Sequence, residues 1–588
     1  MKVVLVHRYF ATKVRYNNWV YFGTSYLSQL DCEKKIPSKR INISQIVKFF
    51  FEKNKKNLSD WIESLRKKNK DDISWWTWHI AGRNNVHSKF FLIICQILAI
   101  KKILKSYKDK KNIYIVCENI FLLLLLKDNL RDKKVLTYKK IILPFFYLCR
   151  IINEYSFGLL KQFKLFFRII YIKILSSFIK TNYKMPKDII LFHHALEKNY
   201  SDLTCRYFKN IPNYIDKKKN NVYKIPWFIN KKINFSLIKK LKKNKFLILD
   251  DFLSFKNYLT IYFNFYKSFK IFNDINSFKN IELNYLFLIE KTQHLREQSV
   301  FFLRYAPAIE NFSKKIKRIT SYDHYENMTF EHPLRYALKK INKRNINIGY
   351  FHSLVSKNFF HYYHTKTEWD SLVKPDLILC IGKLAKKYLI KNNVPKKKLK
   401  IVPAIRQNNF EIIGKKKIIT VLLPMGHESS VELLNKVYSN REKIFLGINY
   451  KVVIKFHPLS NVKKVLKDCS IKNLPKNWSL SRNEIHNELK RSICSLIMSS
   501  ASAYDAIIAK SLVININSEF DVYDNYLDII NGASLNKKGD ISQINKILKN
   551  ICIFKKKYYV KKSTKLKKNL LSGLLLVNKK NLDNFIVN

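Results

Sequence analysis

The stretch YKVVIKFHPLS, Tyr450 to Ser460, is an apolar, β-branched run that stops at His457-Pro458 and gives way to a polar turn. Such a run favours a buried strand, and Pro458 cannot donate to a strand ladder, so the strand has to end there. The same punctuation recurs on either side, in IITVLLP from Ile418, WSLS from Trp478, SICSLIM from Ser492 and SLVINI from Ser511. Helical patterns separate the five runs, which predicts a Rossmann-like parallel sheet of roughly 150 residues.

Upstream the alternation continues. RITSYD (from Arg318), a helix predicted over 330–344, INIGYF (from Ile346), DLILCI (from Asp376), a helix over 383–391 and LKIVPA (from Leu399) read as successive βα units. NIYIVC (from Asn112), DIILFHHA (from Asp188) and KFLILD (from Lys245) are also strand-like, and MKVVLVHRYF reads as a first strand and not a signal peptide, because His7 and Arg8 interrupt it. The polar stretch RQNNFEIIGKKK, 406–417, divides the chain into an N-terminal lobe, 1–405, and a C-terminal lobe with terminal helices, 406–588.

In an open parallel sheet, ligands bind outside the carboxyl ends of the strands. In the C-terminal lobe those ends carry Gly426-His427, His457-Pro458 and Ser499-Ser500-Ala501-Ser502. Three serines where a strand hands over to a helix gather hydroxyls and free N–H groups, an arrangement suited to phosphate, although N-capping by one serine is the plainer use. An imidazole at His457, on the neighbouring strand end, adds a donor.

These residues carry a resemblance. KFHP followed about forty residues later by SSAS resembles the His-Pro and Ser-Ser motifs of bacterial GT-B glycosyltransferases of surface polysaccharide synthesis, a group that includes polysialyltransferases, capsule Kdo transferases and teichoic acid glycerophosphotransferases. YENMTFEHPLRYALKK (Tyr325 to Lys340), INIGYFHS (Ile346 to Ser353) and KLKIVPAIR, ending at Arg406, resemble the same group, with Phe330 where a Trp is usual and Phe351 replacing a polar residue. The resemblance implies a GT-B-like fold of two Rossmann-like lobes with a cleft between them. It also implies a nucleotide-phosphate grip by His457, Ser499 and Ser500, with Pro458, Ser502, Gly426, His427 and Arg406 beside it. The chemistry then needs a base for the acceptor hydroxyl, and Glu326, with His352 nearby, is the first choice; Glu331 is a second carboxylate that could equally be a favourable charge in a helix first turn. The expected partners are a nucleotide-sugar donor and a lipid-linked or saccharide acceptor. A nucleotide-sugar epimerase of the same fold, or a non-catalytic basic protein binding polyanions or membranes, stands as the alternative.

Composition bounds these readings. The 588 residues are 47% apolar, enough for more than one core, and 111 Lys+Arg against 43 Asp+Glu give +68. The cations are spread along the whole chain, and no zinc-finger spacing, RRM signature or basic-region heptad accompanies them, so no dedicated nucleic-acid partner is expected. Nine scattered Cys without a C-x-x-C pair read as reduced core residues of a cytoplasmic protein. The segment 138–184 mixes Phe, Ile, Leu and Tyr with Lys and Arg every three to five residues, which fits an amphipathic helical hairpin on the anionic inner-membrane surface, or else a pair of core helices. GxGxxG, Walker A, G-x-S-x-G and Asp-x-Asp motifs are absent, so no cofactor and no metal are implied. His361 and His364, in FFHYYHTKTEW, are read as part of an aromatic surface loop touching acceptor or lipid. His193-His194 and Asp250-Asp251 end strand-like runs, as acceptor-lining groups or as ordinary strand-end polarity.

Overall fold

The computed structural model describes residues 3–13, 18–70, 72–106, 112–131, 133–179, 185–197, 203–229, 232–272, 277–407, 416–536 and 539–587. Three parallel sheets follow one another along the chain. The first is made of β1 (Val3–His7), β2 (Trp19–Phe22), β3 (Ile113–Cys117) and β4 (Val135–Thr137), in the order β2-β3-β1-β4. The second begins with β5 (Asp188–Glu197) and β6 (Val222–Ile229). After a two-strand hairpin of β7 (Ser277–Phe278) and β8 (Ile281–Glu282), it resumes with β9 (Arg318–Asp323), β10 (Ile346–Phe351), β11 (Leu377–Cys380) and β12 (Leu399–Ile401). Its order is β12-β11-β10-β9-β5-β6. The third holds β13 (Ile418–Leu422), β14 (Lys451–Lys455), β15 (Trp478–Ser481), β16 (Ser492–Ile497) and β17 (Leu512–Asn515), ordered β15-β14-β13-β16-β17.

The fold is thus mixed α/β, and the second and third sheets are two Rossmann-like lobes. Their strand order reverses between β5 and β9 in one and between β13 and β16 in the other, so each has a crevice at its carboxyl edge. The strands are apolar almost end to end because helices cover both faces: β13, β16 and β17 are buried throughout.

Several expectations are corrected. Among the described residues, 1–405 hold two parallel sheets rather than one, since β1 to β4 pair among themselves and not with β5. The last residues leave the C-terminal lobe: Ala404 N–H donates to Leu575 O at 2.7 Å, the Tyr322 hydroxyl donates to Phe585 O at 2.7 Å, and Phe585 packs on Tyr350. KFLILD is not a strand, because Lys245 takes a left-handed φ of 58°, one bridge forms beside Lys224, and Arg304 holds Asp250 at 3.0 Å in a 3-10 turn. The 138–184 segment is one helix, Leu143–Ser177, and not a hairpin. Gly158, the residue best suited to turn it, serves close packing instead: a Cβ there would lie 2.7 Å from Leu295 Cβ. Residues 180–184 of that segment, and 408–415 of the expected connection between lobes, lie outside the described residues.

Candidate active site

β9 and β10 end side by side, and the chain leaves β9 through a tight turn in which Tyr325 (φ 41°) and Asn327 (φ 52°) are both left-handed. A non-glycine residue in that region costs about 1–2 kcal/mol, so the surroundings must impose it. Gly349 in β10 makes room, for a Cβ there would stand 2.8 Å from Tyr325 Cβ. Glu331 fixes the turn from below by accepting from the N–H groups of Glu326 (2.6 Å) and Asn327 (2.9 Å). Arg335, wholly buried, pairs with Glu331 at 2.9 Å and with Asp323 at 2.5 Å. Burial pushes the Glu331 carboxyl up against the pull of Arg335.

That turn presents Glu326 to His352, which follows β10. Glu326 Oε1 lies 3.0 Å from His352 Nε2, and Arg406 Nη1 lies 2.9 Å from His352 Nδ1. A guanidinium can only donate, so Nδ1 accepts from Arg406 and the ring proton sits on Nε2, where it donates to the carboxylate. Burial leads in lowering His352, with the Arg406 charge adding to it, while Glu326 pulls the other way; the imidazole is neutral at pH 7. Burial alone would raise Glu326, but its hydrogen bond to His352 and the charge of Arg206 outweigh it and hold the carboxyl below its ordinary range.

Sequence reasoning missed Arg206 and Tyr207, which lie on the connection after β5. Arg206 pairs with Glu197 at 3.1 Å and donates to the Tyr207 hydroxyl at 3.1 Å. The Tyr207 ring packs on His352, and the Arg406 guanidinium stands 5.7 Å from its centroid. No motif marks this loop; its only signal was two basic or aromatic side chains after an apolar strand.

Across the crevice, His457 ends β14. Its Nδ1 accepts from Leu459 N–H at 3.2 Å, which leaves Nε2–H as the outward donor. Burial leads in lowering it to about 4, with the charge of Arg206 adding to it, so the imidazole is neutral at pH 7. Burial raises the carboxyl of Asp505, one turn into the helix Ser502–Ile508, against the charges of His486 and Arg406. Glu326, His352 and Arg406 are therefore joined directly, and Pro458 stands exposed beside His457.

Other expected site residues are placed differently. Glu331 is fully buried with its oxygens on backbone N–H groups and Arg335, which makes it a residue that shapes the turn and not one that touches substrate. His427 turns to Asp468, at 2.7 Å, and Gly426 is the N-cap of its helix. Ser499, left-handed at φ 48°, donates its hydroxyl to Asp521, which also takes Ser429 and Lys89; Ser500 Oγ accepts from Ser502 N–H at 3.3 Å. His361 and His364 are buried, not on a surface loop: His364 Nε2 meets the Tyr325 hydroxyl at 2.8 Å, and its other nitrogen meets Glu368. His193 and His194 lie buried within β5, and Asp251 pairs with Lys242 at 2.9 Å.

No protein family's pattern matches the chain, and no curated protein matches it in sequence. Solved structures with which it shares a similar arrangement include three at low identity. A Listeria monocytogenes protein assigned as a UDP-N-acetylglucosamine 2-epimerase is 8% identical, covering 68% of this chain and 94% of that one, with a TM-score of 0.39. The calicheamicin glycosyltransferase CalG4 is 8% identical, covering 66% and 95%, with a TM-score of 0.39. The lipopolysaccharide outer core galactosyltransferase WaaB is 11% identical, covering 68% and 98%, with a TM-score of 0.35.

Proposed function

We propose that the chain is a glycosyltransferase that moves a sugar from a nucleotide-activated donor to a lipid-linked or saccharide acceptor in bacterial surface polysaccharide synthesis. It would work in the cytoplasm, at the anionic inner-membrane surface. The observation that carries this reading is the hydrogen-bonded chain Glu326–His352–Arg406 beyond the ends of β9, β10 and β12, with His457 offering a donor beyond β14 in the C-terminal lobe.

In this mechanism the Glu326 carboxylate takes the proton of the acceptor hydroxyl as that oxygen bonds to the anomeric carbon. The bond from that carbon to the phosphate oxygen breaks, and the electron pair leaves with the nucleotide. Arg206, Arg406 and His457 Nε2–H offer charge and a donor to the phosphate where the negative charge grows. Ser500 and Ser502 extend that grip at the helix start, and Ser499 and Gly426 border it. Tyr207 packs its ring against His352 and lies within cation–π reach of both Arg206 and Arg406, which helps hold the two cations beside the imidazole.

A thermal-shift scan with CMP, CDP, UDP and GDP tests the donor half. A ligand at about 100 times its Kd stabilises by ~2.7 kcal/mol. One nucleotide is expected to raise the unfolding midpoint of the wild type and to lose that effect in His457→Ala and Arg206→Ala. If none of the four shifts the wild type, the nucleotide-donor reading falls.

A further inference from the structure

The helix Leu143–Ser177 turns a continuous apolar side to solvent. Its inner side, with Leu165, Ile169 and Ile172, packs on the second sheet's lobe, while Phe145, Ile152, Phe163, Phe167, Ile174 and Phe178 project outward. These outer residues recur at helical spacing, and Phe145, Phe163 and Phe167 are 60–66% exposed. A second helix, Phe255–Ser268, lies beside it: the Tyr262 hydroxyl donates to Gln162 O at 3.2 Å and the Tyr262 ring packs on Phe166. It repeats the pattern with Phe255, Leu259, Phe263 and Tyr266, all more than half exposed, opposite its buried Tyr258, Ile261 and Phe265. Soluble monomers rarely expose apolar patches beyond a few hundred Å², so two adjoining helices with this habit mark a docking surface.

We infer that these two helices form a platform that lies flat on an anionic lipid bilayer. Length and charge fix that choice. At 1.5 Å per residue the 35-residue helix is about 52 Å long, against roughly 30 Å for a hydrocarbon core. It is interrupted by five cations, and no described helix is long and apolar enough to cross a membrane. Exposed Lys161, Lys164, Lys256 and Lys267 border the apolar side, Lys267 lying 4.5 Å over the Phe263 ring, as cations do when they reach for lipid phosphates above inserted aromatics. The long helix has one carboxylate, Glu154, which is buried and paired with Arg150 and Arg296 at 2.5 Å, and the second helix has none. An anionic surface therefore meets no repulsion there. A second copy of the chain, docked by a two-fold axis on the same face, would set Lys161 and Lys164 against themselves.

The inference rests on the membrane part of the proposed function and not on its chemistry, so the two are tested apart. Flotation with phosphatidylcholine vesicles, with and without phosphatidylglycerol, is measured for wild type, for Phe163→Glu/Phe263→Glu, and for a control, Phe554→Glu/Tyr558→Glu, whose side chains are exposed elsewhere. Wild type and control are expected to float with anionic vesicles only, and the platform variant to lose about ten-fold in partitioning while keeping its nucleotide-induced thermal shift or, without one, its wild-type unfolding midpoint. Equal flotation of the platform variant would overturn the inference in favour of diffuse charge. Absence of wild-type flotation would also overturn it, as would a wild-type dimer that the variant dissolves.

Discussion

Arg406 decides what His352 can do. With its Nδ1 lone pair held by the guanidinium and its Nε2–H given to Glu326, the imidazole positions the carboxylate and leaves proton abstraction to it. Glu326→Gln is expected to keep the nucleotide shift and to lose about 10²–10⁴ in kcat, measured with whichever donor the thermal scan selects. A variant with full turnover would remove Glu326 from the role of base. Because Glu326 sits below the ordinary carboxylate range, it is ionised throughout neutral pH. The acid limb of kcat/KM is therefore expected below about pH 4.5, with a level profile between about pH 6 and 8. A limb well above the carboxylate range would argue against Glu326 as the base.

At the scale of elements, the turn after β9 is held by a buried ion cluster. Arg335→Met leaves Asp323 and Glu331 without their cation, and breaking such a pair costs about 3–5 kcal/mol, readable as a large fall in the denaturant midpoint. Gly349→Ala drives a methyl into Tyr325 and is expected to cost about 1–3 kcal/mol together with most of the turnover, since the turn carries Glu326. The third sheet was readable because four of its strands are dense apolar runs closed by a polar residue, with WSLS the short exception at its edge, and β13 to β17 fall inside the predicted runs. In the first sheet β1 and β3 were readable in MKVVLVHRYF and NIYIVC, but the sheet itself was not, because β2 and β3 are separated by some ninety residues of mostly helical chain and β4 is only Val135–Thr137. In the site, strand-end polarity pointed to His457, and the resemblance to Glu326, His352 and Arg406. Arg206 escaped because sequence shows which strands end in polar residues but not which loop folds over them. Glu331 misled for a related reason: a carboxylate at a helix start looks the same whether it faces a substrate or the backbone beneath.

Across the whole molecule, burial keeps many imidazoles neutral. His7, His364 and His457 are lowered to about 4, and His193, His194, His294 and His361 to about 3, each chiefly by burial. Unfolded, they would bind protons near pH 6.5, so between about 4 and 6.5 the unfolded chain holds more protons than the fold. Stability is accordingly expected to be level above pH 7 and to fall steeply as pH drops from 6.5 towards 4. Calorimetry across that window checks it, and a constant Tm would contradict it.

The first sheet's unit is fastened on two sides. It meets the C-terminal lobe through Arg40–Glu519 at 2.6 Å, Lys48–Asp524, and Glu428 accepting from Ser25 and Tyr26. It meets the second sheet's lobe through Arg83–Glu368, Arg66–Asp370 at 3.0 Å and Asn85 on the backbone of 358 and 360. Both lobes are pinned to the same unit, so a rigid swing of one lobe against the other has to break at least one of these sets of pairs. A lesion far from the chemistry, at any of these pins, would act by letting the jaws drift out of line.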